Sequence, residues 1–119
     1  SFVGNRYADA NSNCWQKNLI IEDLVTETPV RLIWRISPEQ PIPGIITPAM
    51  VDGLMMKNWS LLMDKALGSN NYIEGVSEDY IFKNFVFDNV VLNGVKLTEE
   101  NWITQGNFEI KNLENPTFK

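Results

Sequence analysis

Four segments share one pattern, and it limits the folds open to this chain more than any other feature. They are LIIEDLV (residues 19–25), LMMKNWS (54–60), FVFDNVV (85–91) and FEIKNLE (108–114). Each has apolar residues four and two positions before a central Asp or Asn, and another one position after it. A period of two on both sides of one polar residue describes two short strands joined by a sharp bend. Asn and Asp tolerate the left-handed backbone such a bend needs, and their side chains bond to local backbone. Asp23, Asn58, Asn89 and Asn112 are therefore expected at corners, separated along the chain by 35, 31 and 23 residues. The inward set expected is Leu19, Leu54, Phe85 and Phe108, then Ile21, Met56, Phe87 and Ile110, then Leu24, Trp59, Val90 and Leu113.

The residues just before the four corners are Glu22, Lys57, Asp88 and Lys111, which alternate in sign. Stacked about 4.8 Å apart, they form an outward ladder of opposite charges. Placing the third corner at Lys83-Asn84 instead stacks lysine on lysine, so Asp88-Asn89 is the preferred register. Between the corners, VRLIWRIS (30–37) alternates and runs into a proline-rich loop (37–48), through which no strand continues. WSLLMDKAL (59–67) reads as strand, with a helical turn as its rival. Asn93-Gly94 is a hairpin-type signal that also serves as a coil turn. TEENW (98–102) reads as a short helical turn capped by Thr98.

At 119 residues, 44% hydrophobic and with four Trp, six Phe and three Tyr, the chain can bury the core of one domain, 1–119, with no linker. A net charge of −5 without basic clusters argues against nucleic acid and anionic membranes. The absence of histidine removes His-based triads and most zinc sites. A single cysteine, Cys14, excludes an internal disulfide. No apolar run approaches the 18 or so residues of a membrane span. The N-terminal stretch lacks a charged region followed by an apolar one, so it does not read as a signal peptide.

Short strands, coil-length spacing and corner asparagines resemble the right-handed parallel β-helix of the pectin-lyase-like superfamily. FVFDNVVLNGVKL and VDGLMMKNWSLL are similar to the late coils of bacterial polygalacturonase-like glycoside hydrolases. The resemblance covers residues 17 to 114. It implies an all-β solenoid of about four coils, a polysaccharide-degrading context, and secretion or a cell-envelope location. The catalytic signatures of that family are Asn-Thr-Asp, paired Asp-Asp, Gly-His-Gly and Arg-Ile-Lys. This chain retains only Arg35-Ile36 of the last, so no catalytic residue is carried over and the catalytic set stays unknown.

Glycoside hydrolysis needs two carboxyl groups roughly 5 to 10 Å apart, one of them held protonated. Glu78-Asp79 and Glu99-Glu100 fall in turns; Asp64, Glu74 and Asp88 can line a sheet face, but Asp88 already serves the charge ladder. Asp52, Asp64 and Asp79 do not cluster as calcium ligands do, so no metal or cofactor is expected. A saccharide surface stacks sugar faces on Trp or Tyr and bonds hydroxyls with Arg or carboxylates. Its candidates are Arg31, Arg35, Tyr72 and Trp102. In VRLIWRIS, Arg31 and Arg35 share the outward face while Leu32, Trp34 and Ile36 share the inner one.

The sequence thus leads to an all-β right-handed parallel β-helix, with a β-sandwich as the structural alternative. The expected function is a polysaccharide-active protein of which this chain supplies late coils. The alternatives are a non-catalytic carbohydrate-binding module and a structural or assembly piece. The expected partners are a polysaccharide or oligosaccharide and further coils, because a first coil without a cap leaves a strand edge open. On that ground the chain is expected to be the C-terminal part of a longer β-helix, or to self-associate.

Overall fold

Left-handed corners set the path of this chain. Asp23, Asn58, Asn89 and Asn112 all have positive φ, between 50° and 59°, as the sequence pattern requires. The computed structural model describes residues 14–31, 33–36, 49–64, 70–75 and 81–119, with the side chains of 14–16 and 49–50 outside that description. The strands are β1 (Cys14–Glu22), β2 (Arg35–Ile36), β3 (Ala49–Leu61), β4 (Asn71–Glu74), β5 (Phe82–Lys83), β6 (Val86–Leu92), β7 (Val95–Lys96), β8 (Phe108–Lys111), β9 (Leu113–Glu114) and β10 (Thr117–Phe118). One short helix, α1 (Trp102–Gly106), precedes β8.

Two sheets result. In the larger, β1 pairs with β3, β3 with β5 and β6, β5 with β9, and β6 with β10, all in parallel. In the smaller, β2, β4 and β8 pair in parallel. The larger sheet is nonetheless mixed, because β7 turns back to pair with β6 antiparallel. The cause is Asn93-Gly94, with φ of 52° and 79°, which makes the tight reversal of a hairpin rather than a coil turn. After that reversal the chain passes through α1 and joins the smaller sheet. The expected right-handed parallel β-helix of about four coils is thus corrected to an all-β fold with a mixed, curved larger sheet. The β-sandwich alternative fails as well, since the described ladders other than β6–β7 are parallel.

The columns keep the expected register in the first three segments, but Ile21 and Leu24, expected inward, are 39% and 38% exposed. Leu19 is in register with Leu54, and Ile21 with Met56 and then Phe87. The fourth segment is divided: Phe108 pairs with Asn71 and Ile110 with Ile73 in the smaller sheet, while Leu113, past the Asn112 corner, pairs with Phe82 in the larger. Its place beside β6 is taken by Thr117-Phe118, with Phe118 opposite Phe87. The charge ladder is corrected in the same way. Glu22, Lys57 and Asp88 are in register, and Lys119 follows through its backbone bonds to Phe87 and Asn89. Lys111 instead stands opposite Glu74.

The rejected corner is also real. Asn18, Gly53, Asn84 and Asn115 all have positive φ. Beside them Lys17, Asp52, Lys83 and Glu114 form a second column of alternating sign. Lysine does not stack on lysine, because Lys83 meets Asp52 rather than Lys57. β3 is thus one strand bent twice, at Gly53 and Asn58.

Aromatic rings fill the space between the sheets. Trp34 stacks on Trp59 at 5.8 Å, Phe82 on Phe85 at 6.0 Å, and Phe87 on Phe118 at 4.7 Å. Met56, Met63, Leu61 and Leu92 are buried among them, the filling role expected of such residues. Trp34 and Ile36 face inward and Arg35 outward, as the alternation of VRLIWRIS requires. The Thr98 turn precedes α1 rather than capping it: Thr98 Oγ1 accepts from the Asn101 N–H at 3.3 Å, and Asn101 is the N-cap residue.

Corner chemistry is directly testable. At Asn58 (φ 54°) the side-chain Oδ1 accepts from Asn89 Nδ2 at 3.1 Å. Asn58→Val places a β-branched residue in the left-handed region, where an L-residue costs about 1–2 kcal/mol. Asn58→Gly loses only the exposed amide bond and some chain entropy, about 0.5–1 kcal/mol. Urea unfolding should therefore rank wild type, then Gly, then Val. The reverse order of the two variants would refute the corner assignment.

Candidate functional site

The outward face of the smaller sheet gathers the most varied polar chemistry among the described residues. β4 alternates strictly, so Asn71 and Ile73 point inward while Tyr72 and Glu74 point out. Register places Arg35 beside Tyr72 and Tyr72 beside Glu109, giving a row across three strands. Parallel strands set these positions about 4.8 Å apart. Arg35 and Glu109 are exposed and Tyr72 half-buried, so a partly exposed phenol is carried between a guanidinium and a carboxylate.

The row is braced at one end by amides. Asn70 Nδ2 donates to Glu109 Oε1 at 2.7 Å, and Asn107 Nδ2 donates to Asn70 Oδ1. Glu74 and Lys111 form a second, parallel pair one step along the strands. Beneath the row, Ile36, Ile73 and Ile110 face the core and fix the height of the sheet.

Of the four residues singled out in the sequence, two meet here and two do not. Arg35 and Tyr72 are neighbours. Arg31 is exposed in the bend after Val30, outside the row and engaged in an interaction of its own. Trp102 is corrected: it is only 6% exposed, packed against Phe87, Phe108 and Phe118, so its ring is core and not a sugar platform. Its irregular sequence context hid the fact that α1 turns it inward. Sequence reasoning missed Glu109 and Asn70. Glu109 was signalled by its position between Phe108 and Ile110, but nothing local showed which strand lay beside it.

The other candidates are dispersed. Glu99 and Glu100 are exposed in the turn before α1, at the rim of a groove of about 560 Å³ that Lys96, Phe118 and Lys119 also line. Glu74 stands opposite Lys111, and Asp88 opposite Lys57. Asp52 accepts from Asn84 Nδ2 at 2.8 Å. Glu78, Asp79, Trp15 and the proline-rich loop lie outside the described residues or side chains. Among the described residues no three His, Cys, Asp or Glu side chains converge, and no helix is long and apolar enough to cross a membrane.

The fold and this face define an all-β, mixed-sheet chain with a polar, aromatic-centred strip. Comparison with known proteins gives no match to a family model, to a curated protein or to a solved structure.

Proposed function

We propose that this chain is a saccharide-contacting module of a polysaccharide-active protein, with the bond-breaking groups supplied from outside the described residues. The observation that carries the reading is the in-register row Arg35–Tyr72–Glu109. A partly exposed phenol offers a flat apolar face with a polar edge, suited to the C–H face of a pyranose. The Arg35 fork matches a sugar carboxylate or a pair of hydroxyls, and the Glu109–Asn70 pair adds an acceptor and an amide beside it. The ligand class is an oligosaccharide, with acidic sugars favoured by Arg35, and the place of action is where such polymers occur, outside the cell or in its envelope.

Titration calorimetry with oligogalacturonides and with neutral cello-oligosaccharides tests this. Tyr72→Ala should weaken binding about tenfold, the equivalent of roughly 1.4 kcal/mol. Arg35→Ala should weaken the acidic series more than the neutral one. Wild-type chain that binds neither series, or a Tyr72→Ala chain that binds as well as wild type, removes the proposal. A second reading, an assembly piece, is favoured by a separate observation: β1 has one bare edge among the described strands.

A further inference from the structure

We infer that the two ends of the larger sheet are complementary, and that copies of this chain stack head to tail by parallel pairing of β1 with the 114–119 segment of a second copy. The inference does not rest on the saccharide reading, although Arg35 also lines the opening at this end.

One end is β1. It pairs only with β3, so its other edge is open among the described residues. Around it Ile20 and Val25 are each 62% exposed, and Ile21 and Leu24 are also exposed. Behind Ile21, an apolar opening of about 200 Å³ reaches Trp34, Leu54, Met56 and Trp59. An open strand edge beside exposed aliphatics is a template for another strand.

The opposite end supplies that strand. β9 and β10 are the outermost strands there, with Phe118 half-buried and Val95 43% exposed beside them. The two ends match position by position. Lys17 and Glu22 are five residues apart, and so are Glu114 and Lys119. Continuing both columns by one step sets Glu114 of one copy beside Lys17 of the next, and Lys119 beside Glu22. Each contact extends the alternation of sign already present within the chain. The left-handed corners coincide too, Asn115 (φ 56°) over Asn18 (φ 55°), and Phe118 falls over Ile21.

The rival, antiparallel pairing of two β1 edges, can also oppose Lys17 to Glu22. That register sets inward Leu19 against outward Ile20, which a shared pleat forbids. Parallel stacking alone satisfies charge, corner and face together. Because the contact is heterologous, it does not close at a dimer and adds copies along one axis.

Light scattering of the 119-residue chain between ~10 and ~200 μM should show a mass that climbs from 13.6 kDa through the dimer without a plateau. A constant monomer, or a dimer that stops growing, overturns the inference. The variants K17E/E22K and E114K/K119E should each remain near 13.6 kDa, since each brings like charges together at the junction. Mixed in equal amounts they should regain the wild-type growth in mass, because each then meets opposite charges at both of its ends. Failure of the mixture to associate counts against the stacking.

A cysteine pair guards against variants that simply misfold. Ile20 and Thr117 are three ladder steps apart within one chain, about 14 Å, too far for an internal disulfide. In a head-to-tail stack they become neighbours. Cys14→Ser with I20C and T117C should give a ladder of covalent multiples on mild oxidation. Monomer alone on a non-reducing gel refutes the pairing.

Discussion

Asn71→Ala should lower the free energy of unfolding by about 3–6 kcal/mol, although it removes one amide from the first position of a four-residue strand. Asn71 is fully buried, a buried polar side chain within an apolar core. Its Oδ1 accepts from the backbone N–H groups of Ile33 and Trp34, each at 3.0 Å. Its Nδ2 donates to the Gly106 carbonyl at 2.6 Å and to Met63 Sδ at 3.1 Å. One side chain thus ties together the approach to β2, the start of β4 and the end of α1.

Removing that amide orphans two N–H groups and a carbonyl, each worth about 1–3 kcal/mol when buried without a partner. Such a loss is a large part of the 5–15 kcal/mol that holds a typical domain together. Asn71→Asp keeps the acceptor, loses both donors and buries a charge, so it should do no better than Ala. Asn70→Ala, one residue away and partly exposed, should change stability by less than about 0.5 kcal/mol. Urea unfolding followed by tryptophan fluorescence measures all three. An Asn71→Ala chain within about 1 kcal/mol of wild type would falsify the account of a buried tie.

The corner residues were legible because their chemistry is local. An Asn or Asp flanked by period-two apolar residues requires no knowledge of what lies beside it, and Asp23, Asn58, Asn89 and Asn112 are left-handed as expected. What lies beside each corner is not local, and there the reading went astray. FEIKNLE carries the same pattern as its fellows, yet its first four residues sit in the other sheet because the hairpin at Asn93-Gly94 and α1 carry the chain across, and only Leu113-Glu114, past the Asn112 corner, return to the larger one.

The spacing held the clue. Asn84 to Asn115 repeats the 31 residues that separate Asn58 from Asn89, whereas Asn89 to Asn112 is only 23. Rejecting Lys83-Asn84 followed from allowing a single charged column, when there are two in opposite phase. At the candidate site, Arg35 was placed outward by alternation alone. That it stands next to Tyr72 depends on two connections whose lengths set the register, and no residue type records that.

Phe87→Ala should cost about 3–5 kcal/mol, the range for deleting a fully buried aromatic ring. Phe87 has no exposed surface and lies where the two sheets and α1 converge. Its ring stacks on Phe118 at 4.7 Å and 11°, and lies 5.7 Å from Trp102 and 6.3 Å from Trp34. Three other rings therefore border the cavity that alanine leaves, and ring planes cannot collapse into it without giving up their own contacts with Phe108 and Trp59. Phe87→Leu restores most of the volume but not the flat face, and should cost less than about half as much.

The stack on Phe118 separates packing from burial. If the two rings interact beyond the area they cover, the Phe87→Ala and Phe118→Ala losses combine with a coupling of about 0.5–1.5 kcal/mol. The near-ultraviolet circular dichroism of Trp102 and Trp34 should weaken in Phe87→Ala while the far-ultraviolet signal holds, since the strand pairing of β6 with β3 does not depend on that ring. A loss below about 1.5 kcal/mol, or additive behaviour in the double variant, would mean that the outermost strand is held by its backbone bonds alone. The stronger coupling would make Phe118 the residue that fastens β10, and with it the end of the sheet that presents Glu114 and Lys119, to the rest of the core.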